Sequence, residues 1–453
     1  MRDFASRGDI EQAAFTARHI VIFWVNCGDA YHDAGVCYAK MGMHSDAVGC
    51  FERSAILEAE QQPQLVQNYA VSLIKLGQID RAIESLKKVN WRFVISARIQ
   101  REIGVVFQEV GEISRALDCF DRSDVLSPSD GLARYFSSLL LLSHGLFNPG
   151  WYHHERRWRS VQFVDPVKKI RPILTGRARF SSDRDLTARV LVWGEQGVGD
   201  EVMFGSMLRE FRGWCGKMLV QMDKRLIPLF RRSLPQDVEF YERGSVVSED
   251  LYDSHIPIGS LGLHLRPSRE SFEGHRGAYL KADPDRVRAL RESFGLTDGE
   301  RLIGVSWRSS NPETGAGRSL PLWELAQVLG GEGRRLVNLQ YGSVQEEIAE
   351  AQARCGIRVE QVPGVDCQND LDGLAALIMA CDEVVSIGNA TAHLAGALGQ
   401  KTTVLLPYSP SWRWTTVGKE TPWYRSLLLL RQHASDEWAG LLDEAQRQLV
   451  ATG

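Results

Sequence analysis

Glycine returns through the first third of the chain on a nearly fixed period: Gly8, Gly42, Gly77, Gly111 and Gly145 stand 34, 35, 34 and 34 residues apart. Other columns keep the same register. Ala13, Ala47, Ala82 and Ala116 each follow a glycine by five positions, and Phe51, Leu86 and Phe120 come four later, with Ala17 in the first slot. Ahead of the glycines run Tyr38, Leu73, Phe107 and Leu141, and small residues fill Gly35, Ala70, Gly104 and Ser138. An irregular helical bundle does not produce this spacing; a stack of one repeated unit does.

The period is that of the helix–turn–helix unit of tetratricopeptide repeats. Glycine permits the turn, the small column lets two helices approach, and the bulky column fills the space between them. An α-helical superhelix is therefore expected over residues 1–158. After Gly145 the pattern changes to GLFNPGWYHHERRWRS, helical in texture but aromatic and basic, as suits a terminal cap packed on something else. His153 and His154 are adjacent, face different sides of a helix and make a poor metal pair. Residues 159–187, with Pro166 and Pro172, read as a linker.

At 453 residues the chain needs more than one core. A net charge of -4 gives no general attraction to nucleic acid or anionic lipid, so a phosphorylated ligand needs a local site. No apolar run approaches the roughly 20 residues of a membrane span; the longest, Phe136 to Leu142, ends at Ser143-His144-Gly145. The opening MRDFASRGDIEQAAF lacks the apolar core and small-residue cleavage site of a signal peptide. Eight cysteines show no CxxC pair or zinc spacing, and most lie in apolar patterns. A reduced, cytoplasmic protein is the expectation.

From Arg189 the texture becomes α/β. The run RVLVWG leads into EQGVGD and a helix near Glu201, and short apolar runs follow at Met218–Met222, Val238–Tyr241 and His255–Ile258. A helix capped by Asp283, with Pro284 at its first position, precedes a second series: LIGVSW, RRLVNLQ, IRVEQV, EVVSI and TTVLLP, alternating with helices. Two Rossmann-like lobes, 188–282 and 283–453, are predicted, with a ligand cleft outside the carboxyl ends of their strands.

Three loops reach that cleft. The first, Gly194 to Asp200, carries GxxGxG rather than the dinucleotide order GxGxxG. Gly197 and Gly199 allow close backbone approach, and Asp200 stands either as general base toward an acceptor hydroxyl or simply as a helix cap. The second loop, Arg308 to Ser319, sets Arg308, Ser309 and Arg318 around a hydroxyl-rich turn, either a phosphate clamp or a solvated loop. The third, SIGNATAHLAGALG, starts a helix of small residues at Ala390. Its free N–H groups, with Asn389, Thr391, Ala392 and His393, form a candidate diphosphate cradle. Gln340 and Tyr341 would edge a base or ribose, and Trp412, with Arg413 and Trp414, would wall the cleft or pack beneath it.

Together these blocks resemble the EQGxGDxxxF loop, the SxxTAxAHLAGALG helix and the PYxPxWRW tail of tetratricopeptide-repeat proteins with a GT-B glycosyltransferase-like domain. The resemblance runs from about Gly28 to Gln432, and extends to heptosyltransferases, repeat-linked protein O-GlcNAc transferases and repeat-bearing flagellin glycosyltransferases. It implies Asp200 as base, Thr391, Ala392 and His393 at the donor diphosphate, and Arg308 near a cationic phosphate ligand. The chain departs at Gly388-Asn389, where heptosyltransferases often carry Asp-Thr. The implied function is transfer of a sugar from a nucleotide-sugar substrate to a hydroxyl of a protein acceptor, flagellin-like in one version, held by the repeats. Inverting and retaining outcomes both stay open. No metal or cofactor is expected, and Asp183-Arg184-Asp185 and Asp283-Pro284-Asp285 are coincidental matches to DxD. The rivals are a non-catalytic repeat adaptor with a degenerate nucleotide-binding domain, and a different α/β enzyme such as a dehydrogenase.

Overall fold

The computed structural model describes His19, Phe23 and residues 26–58, 62–89, 91, 94–159, 172–180, 184–309, 315–433 and 438–450. Gly8, Ala13, Ala17, Pro166 and Asp183 lie outside the described residues. Contacts separate two compact units: Met1–Leu140 with Arg156–Phe163, and Leu141–Glu155 with Val164–Gly453.

The first unit is built from antiparallel helix pairs. They are α1 Gly28–Lys40 with α2 His44–Leu57, α3 Pro63–Lys75 with α4 Ile79–Lys87, and α5 Ala97–Glu109 with α6 Ile113–Leu126. Gly42, Gly77 and Gly111 turn each pair at φ of 76°, 73° and 79°, a left-handed conformation that favours glycine. The small and bulky columns meet as the period requires. A Cβ on Gly35 would lie 2.6 Å from the Phe51 ring, and one on Gly104 would lie 2.6 Å from Phe120. Ala47, Ala82 and Ala116 are fully buried between these helices.

α7 spans Leu132–Ser143, and Gly145, at φ 74°, leads to α8, Phe147–His154. α8 belongs to the second unit. Trp151 stands edge-on to Phe204, Trp412 and Trp423, and its Nε1 donates to the Arg266 carbonyl at 2.8 Å. The repeat texture therefore extends into a helix whose aromatic face belongs to the α/β core, which accounts for the change of composition after Gly145.

The second unit contains two all-parallel sheets. The first has the order β1 (Ala178–Arg179), β5 (Ser254–Pro257), β2 (Asp185–Trp193), β3 (Cys215–Met222), β4 (Glu239–Glu242). Part of the segment expected as linker thus enters the sheet, because Ala178 and Arg179 pair with Ser254 and His255, and β2 begins at Asp185. The second sheet has the order β11 (Leu427–Arg431), β10 (Thr402–Leu406), β9 (Glu383–Ile387), β6 (Arg301–Ser306), β7 (Arg334–Asn338), β8 (Val359–Glu360). β9, β10 and β6 are buried almost throughout, as parallel strands covered on both faces must be.

Asp283 accepts hydrogen bonds from the N–H groups of Asp285 and Arg286, at 3.0 and 3.1 Å, at the start of the helix Pro284–Ser293. That is the capping role read from the sequence. The lobes are tied together by Arg232, whose guanidinium meets both Asp372 oxygens at 2.7 and 2.8 Å, and by Arg225, which donates to the Gln368 carbonyl at 2.7 Å. No helix among the described residues is long and apolar enough to cross a membrane.

Candidate functional site

Strand β2 ends at Trp193 and the chain turns through Gly194–Gly197 into the helix Val198–Gly205. Glycine at 194 leaves room for Glu201, since a Cβ there would lie 2.2 Å from Glu201 Oε1 and 3.2 Å from the Gln221 carbonyl. Glu201 is buried beneath the loop. It accepts from the Arg243 guanidinium and from the Asp223 N–H, both at 2.7 Å, and burial pushes its carboxyl up to about 7. Arg243 also donates to the carbonyl of Gln196 at 2.9 Å. Gln196 stands at φ 62°, a conformation rare for a residue with a side chain, and Arg243 holds it there. The sequence reading missed Glu201 and Arg243, since pairing across the lobe leaves no local pattern.

Gly199 brings this loop onto the other lobe. A Cβ at 199 would lie 3.4 Å from Ala390 Cα and 3.2 Å from His393 Cδ2. The EQGVGD loop thus rests against the start of the helix Ala390–Leu398. Between them opens a cleft of about 320 Å³, lined by Gly197, Gly199, Arg225, Tyr341, Ala390 and Thr391. Asp200 sits at this seam, with Oδ2 3.4 Å from the Gly197 N–H and Oδ1 2.6 Å from Arg413 Nε.

The residues expected to cradle a diphosphate are largely occupied with one another. Asn389 Oδ1 accepts from the N–H groups of Thr391 and Ala392, at 3.0 and 3.3 Å, and from Ser386 Oγ at 3.1 Å. Its Nδ2 donates to Ser306 Oγ at 2.8 Å and to the Arg308 carbonyl at 3.3 Å. Asn389 is thus the cap of the helix and the pin between β6 and β9. Thr391 Oγ1 turns inward to the Leu339 carbonyl at 3.4 Å, and Ala392 is fully buried. His393 stacks on Trp414, with ring centroids 4.5 Å apart, and its Nδ1 lies 3.1 Å from the Tyr424 hydroxyl. Burial, aided by the charge of Arg413, pushes its imidazole down to about 3, so the ring is neutral.

Gly388 also has a local explanation. A Cβ there would meet Trp414 Nε1 at 2.6 Å and Leu406 Cδ2 at 3.0 Å. The indole fills the space that an aspartate side chain would need.

The second loop divides. Arg308 turns away to Glu347 Oε2 at 2.9 Å and the Ser343 carbonyl at 2.6 Å, and the Ser309 N–H donates to Ser319 Oγ at 3.0 Å. Residues 310–314 of this loop lie outside the described residues. Arg318 is different. Half-buried and close to the charge of Arg413, its guanidinium is held below its usual value, and it has no side-chain hydrogen bond or ion pair among the described residues. A half-buried cation without a carboxylate is a standing attraction for an anion.

Gln340 is not available to a ligand through its amide oxygen, which accepts from Ser306 Oγ and the N–H groups of Trp307 and Arg308, each at 3.0 Å. Trp412 likewise packs beneath the cleft, against Trp151, His154 and Phe204. Tyr341 lines the cleft. Beside it, sharing Cys367 with the cleft, lies a polar cavity of about 350 Å³ lined by Asn338, Gly342, Gln345 and Gln361.

Helical repeats followed by two parallel Rossmann-like lobes, with a cleft between them, define the fold class: a tetratricopeptide-like repeat array joined to an α/β domain of GT-B-like architecture. No family model matches the chain. It is similar to "Protein FlbA" of Caulobacter vibrioides, 34% identical over 342 residues, which are 70% of this chain and 55% of that protein. The chain thus spans about half the length of the curated relative it matches. Similar solved structures include a glycosyl transferase of family 9 from Veillonella parvula, at TM-score 0.42 and 13% identity over 60% of this chain and 97% of that one. Another is the ADP-heptose LPS heptosyltransferase II of E. coli, at TM-score 0.42 and 17% identity over 58% and 98%.

Proposed function

We propose that the chain transfers a sugar from a nucleotide-sugar donor to a hydroxyl of a protein acceptor, in the cytoplasm and without a metal. The observation that carries this reading is the meeting of the Asp200 loop with the start of the Ala390 helix, together with an Arg318 that has no carboxylate partner among the described residues. The donor's diphosphate would lie by Arg318 and Arg413, and its nucleoside in the polar cavity by Gly342 and Gln345. Asp200 would take the proton of the acceptor hydroxyl. Stabilisation of the leaving diphosphate falls to arginines and backbone dipoles.

An acceptor polypeptide would be engaged by the repeat unit, where Phe51, Ile56, Leu65 and Tyr69 line a groove of about 330 Å³. A flagellin-like acceptor is suggested by the sequence resemblance alone.

Specific features favour a second reading, a repeat adaptor whose α/β domain binds a nucleotide without turnover. Asn389 caps two helix N–H groups, and Trp414 fills the space beside Gly388. Sugar release from common nucleotide sugars by wild type and Asp200→Asn separates the readings. The transferase releases sugar and the variant retains nucleotide binding with release abolished. Nucleotide binding without turnover of any donor selects the adaptor.

A further inference from the structure

Arg413 and Asp200 come from opposite lobes, 213 residues apart in sequence. Arg413 Nε lies 2.6 Å from Asp200 Oδ1, Nη2 reaches the same oxygen and lies 3.2 Å from Gln196 Oε1, and Nη1 donates to Ser411 Oγ at 3.0 Å. Asp200 is the one anion among these partners. The nearby Arg318 adds a second cation, and among the described residues it has no carboxylate partner. Among the described residues Asp200 is therefore the carboxylate that Arg413 holds, and Arg318 lies close enough to Arg413 to feel its charge.

This arrangement is incomplete for both partners. A diphosphate placed between Arg318 and Arg413 offers charged oxygens that Gln196 and Ser411 cannot. Asp200, meanwhile, has Oδ1 committed to guanidinium donors, so the oxygen facing the other lobe is closed to an incoming hydroxyl.

We propose that Arg413 is a diphosphate ligand held in reserve by Asp200, and that donor binding draws its guanidinium off the carboxylate and onto the phosphate. The proposal rests on the transferase reading above. It imposes an order, donor before acceptor. Once released, Asp200 takes the proton of the acceptor hydroxyl, and the acceptor oxygen bonds to the anomeric carbon. The bond from that carbon to the phosphate oxygen breaks, its electron pair staying on the nucleoside diphosphate between the arginines.

Inorganic pyrophosphate, titrated calorimetrically into the full chain, tests the exchange. Asp200→Asn should bind pyrophosphate roughly fivefold more tightly than wild type, because no ion pair has to be broken. Arg413→Gln should bind about tenfold more weakly or worse, having lost charge-assisted hydrogen bonds. Arg413→Lys should retain part of the affinity, and Asp200→Asn should have no effect in the Arg413→Gln background. A wild type that binds while Asp200→Asn binds equally or less tightly overturns the exchange and leaves the donor site standing. A wild type that binds neither pyrophosphate nor UDP, GDP or ADP overturns both. Far-UV circular dichroism melts show that each variant is folded.

Discussion

Protonation of His393 must work against the fold, and the geometry sets the size of the effect. The ring is 3% exposed, stacked on Trp414 and hydrogen-bonded to Tyr424, and its pKa falls from 6.5 to about 3. As the pH drops, the unfolded chain takes up the proton first, so the stability held above pH 6.5 is lost on acidification until the folded value is reached. At pH 5.5 the linkage costs about 1.4 kcal/mol, and at pH 4.5 about 2.7 kcal/mol. A His393→Gln variant lacks this titration. It should be less stable than wild type at pH 7.5, where it loses the stacked imidazole, and its deficit should shrink by about 1.4 kcal/mol at pH 5.5. Urea unfolding of both proteins at the two pH values, followed by tryptophan fluorescence, measures the difference. An equal deficit at both would mean that the imidazole titrates normally in the folded protein, and the packing account of this helix would be wrong.

Two further substitutions probe close contacts. Gly104→Ala places a Cβ 2.6 Å from Phe120 and should cost about 1–3 kcal/mol in a circular dichroism melt, with partial recovery on adding Phe120→Leu. Gly388→Asp should lower stability by a similar 1–3 kcal/mol by pushing Trp414 from its seat. A melting temperature matching wild type would show that the indole does not fill that space.

The repeat unit was legible because its physics is local. The glycine column marks the positive-φ turns at Gly42, Gly77 and Gly111, and the Gly35 and Gly104 positions oppose the Phe51 and Phe120 rings. The buried strands were legible for the same reason; EVVSI and TTVLLP lie within one residue of β9 and β10. β11, with its run LLLLR, went unread because four leucines carry no period that separates strand from helix. The site divided along the same line. Loop chemistry singled out Gly199, Asp200 and the Ala390 helix, and the structure sets the Gly199 loop against that helix. The inward roles of Asn389, His393 and Gln340 were not, since a polar residue at a strand end looks alike whether it faces a ligand or pins a neighbouring strand. Arg413 stood in the sequence only as part of an aromatic tail, and nothing in its neighbourhood announces an ion pair with Asp200.

Arg318 offers the most direct test of the anion site. Thermal-shift and calorimetric titration of the full chain with UDP, GDP, ADP and CMP should find a nucleotide that stabilises wild type. Arg318→Gln should need about ten times more of it for the same effect, having lost a charge-assisted contact. If none of the four binds, or if the variant binds as tightly as wild type, the cleft does not hold a donor diphosphate at Arg318.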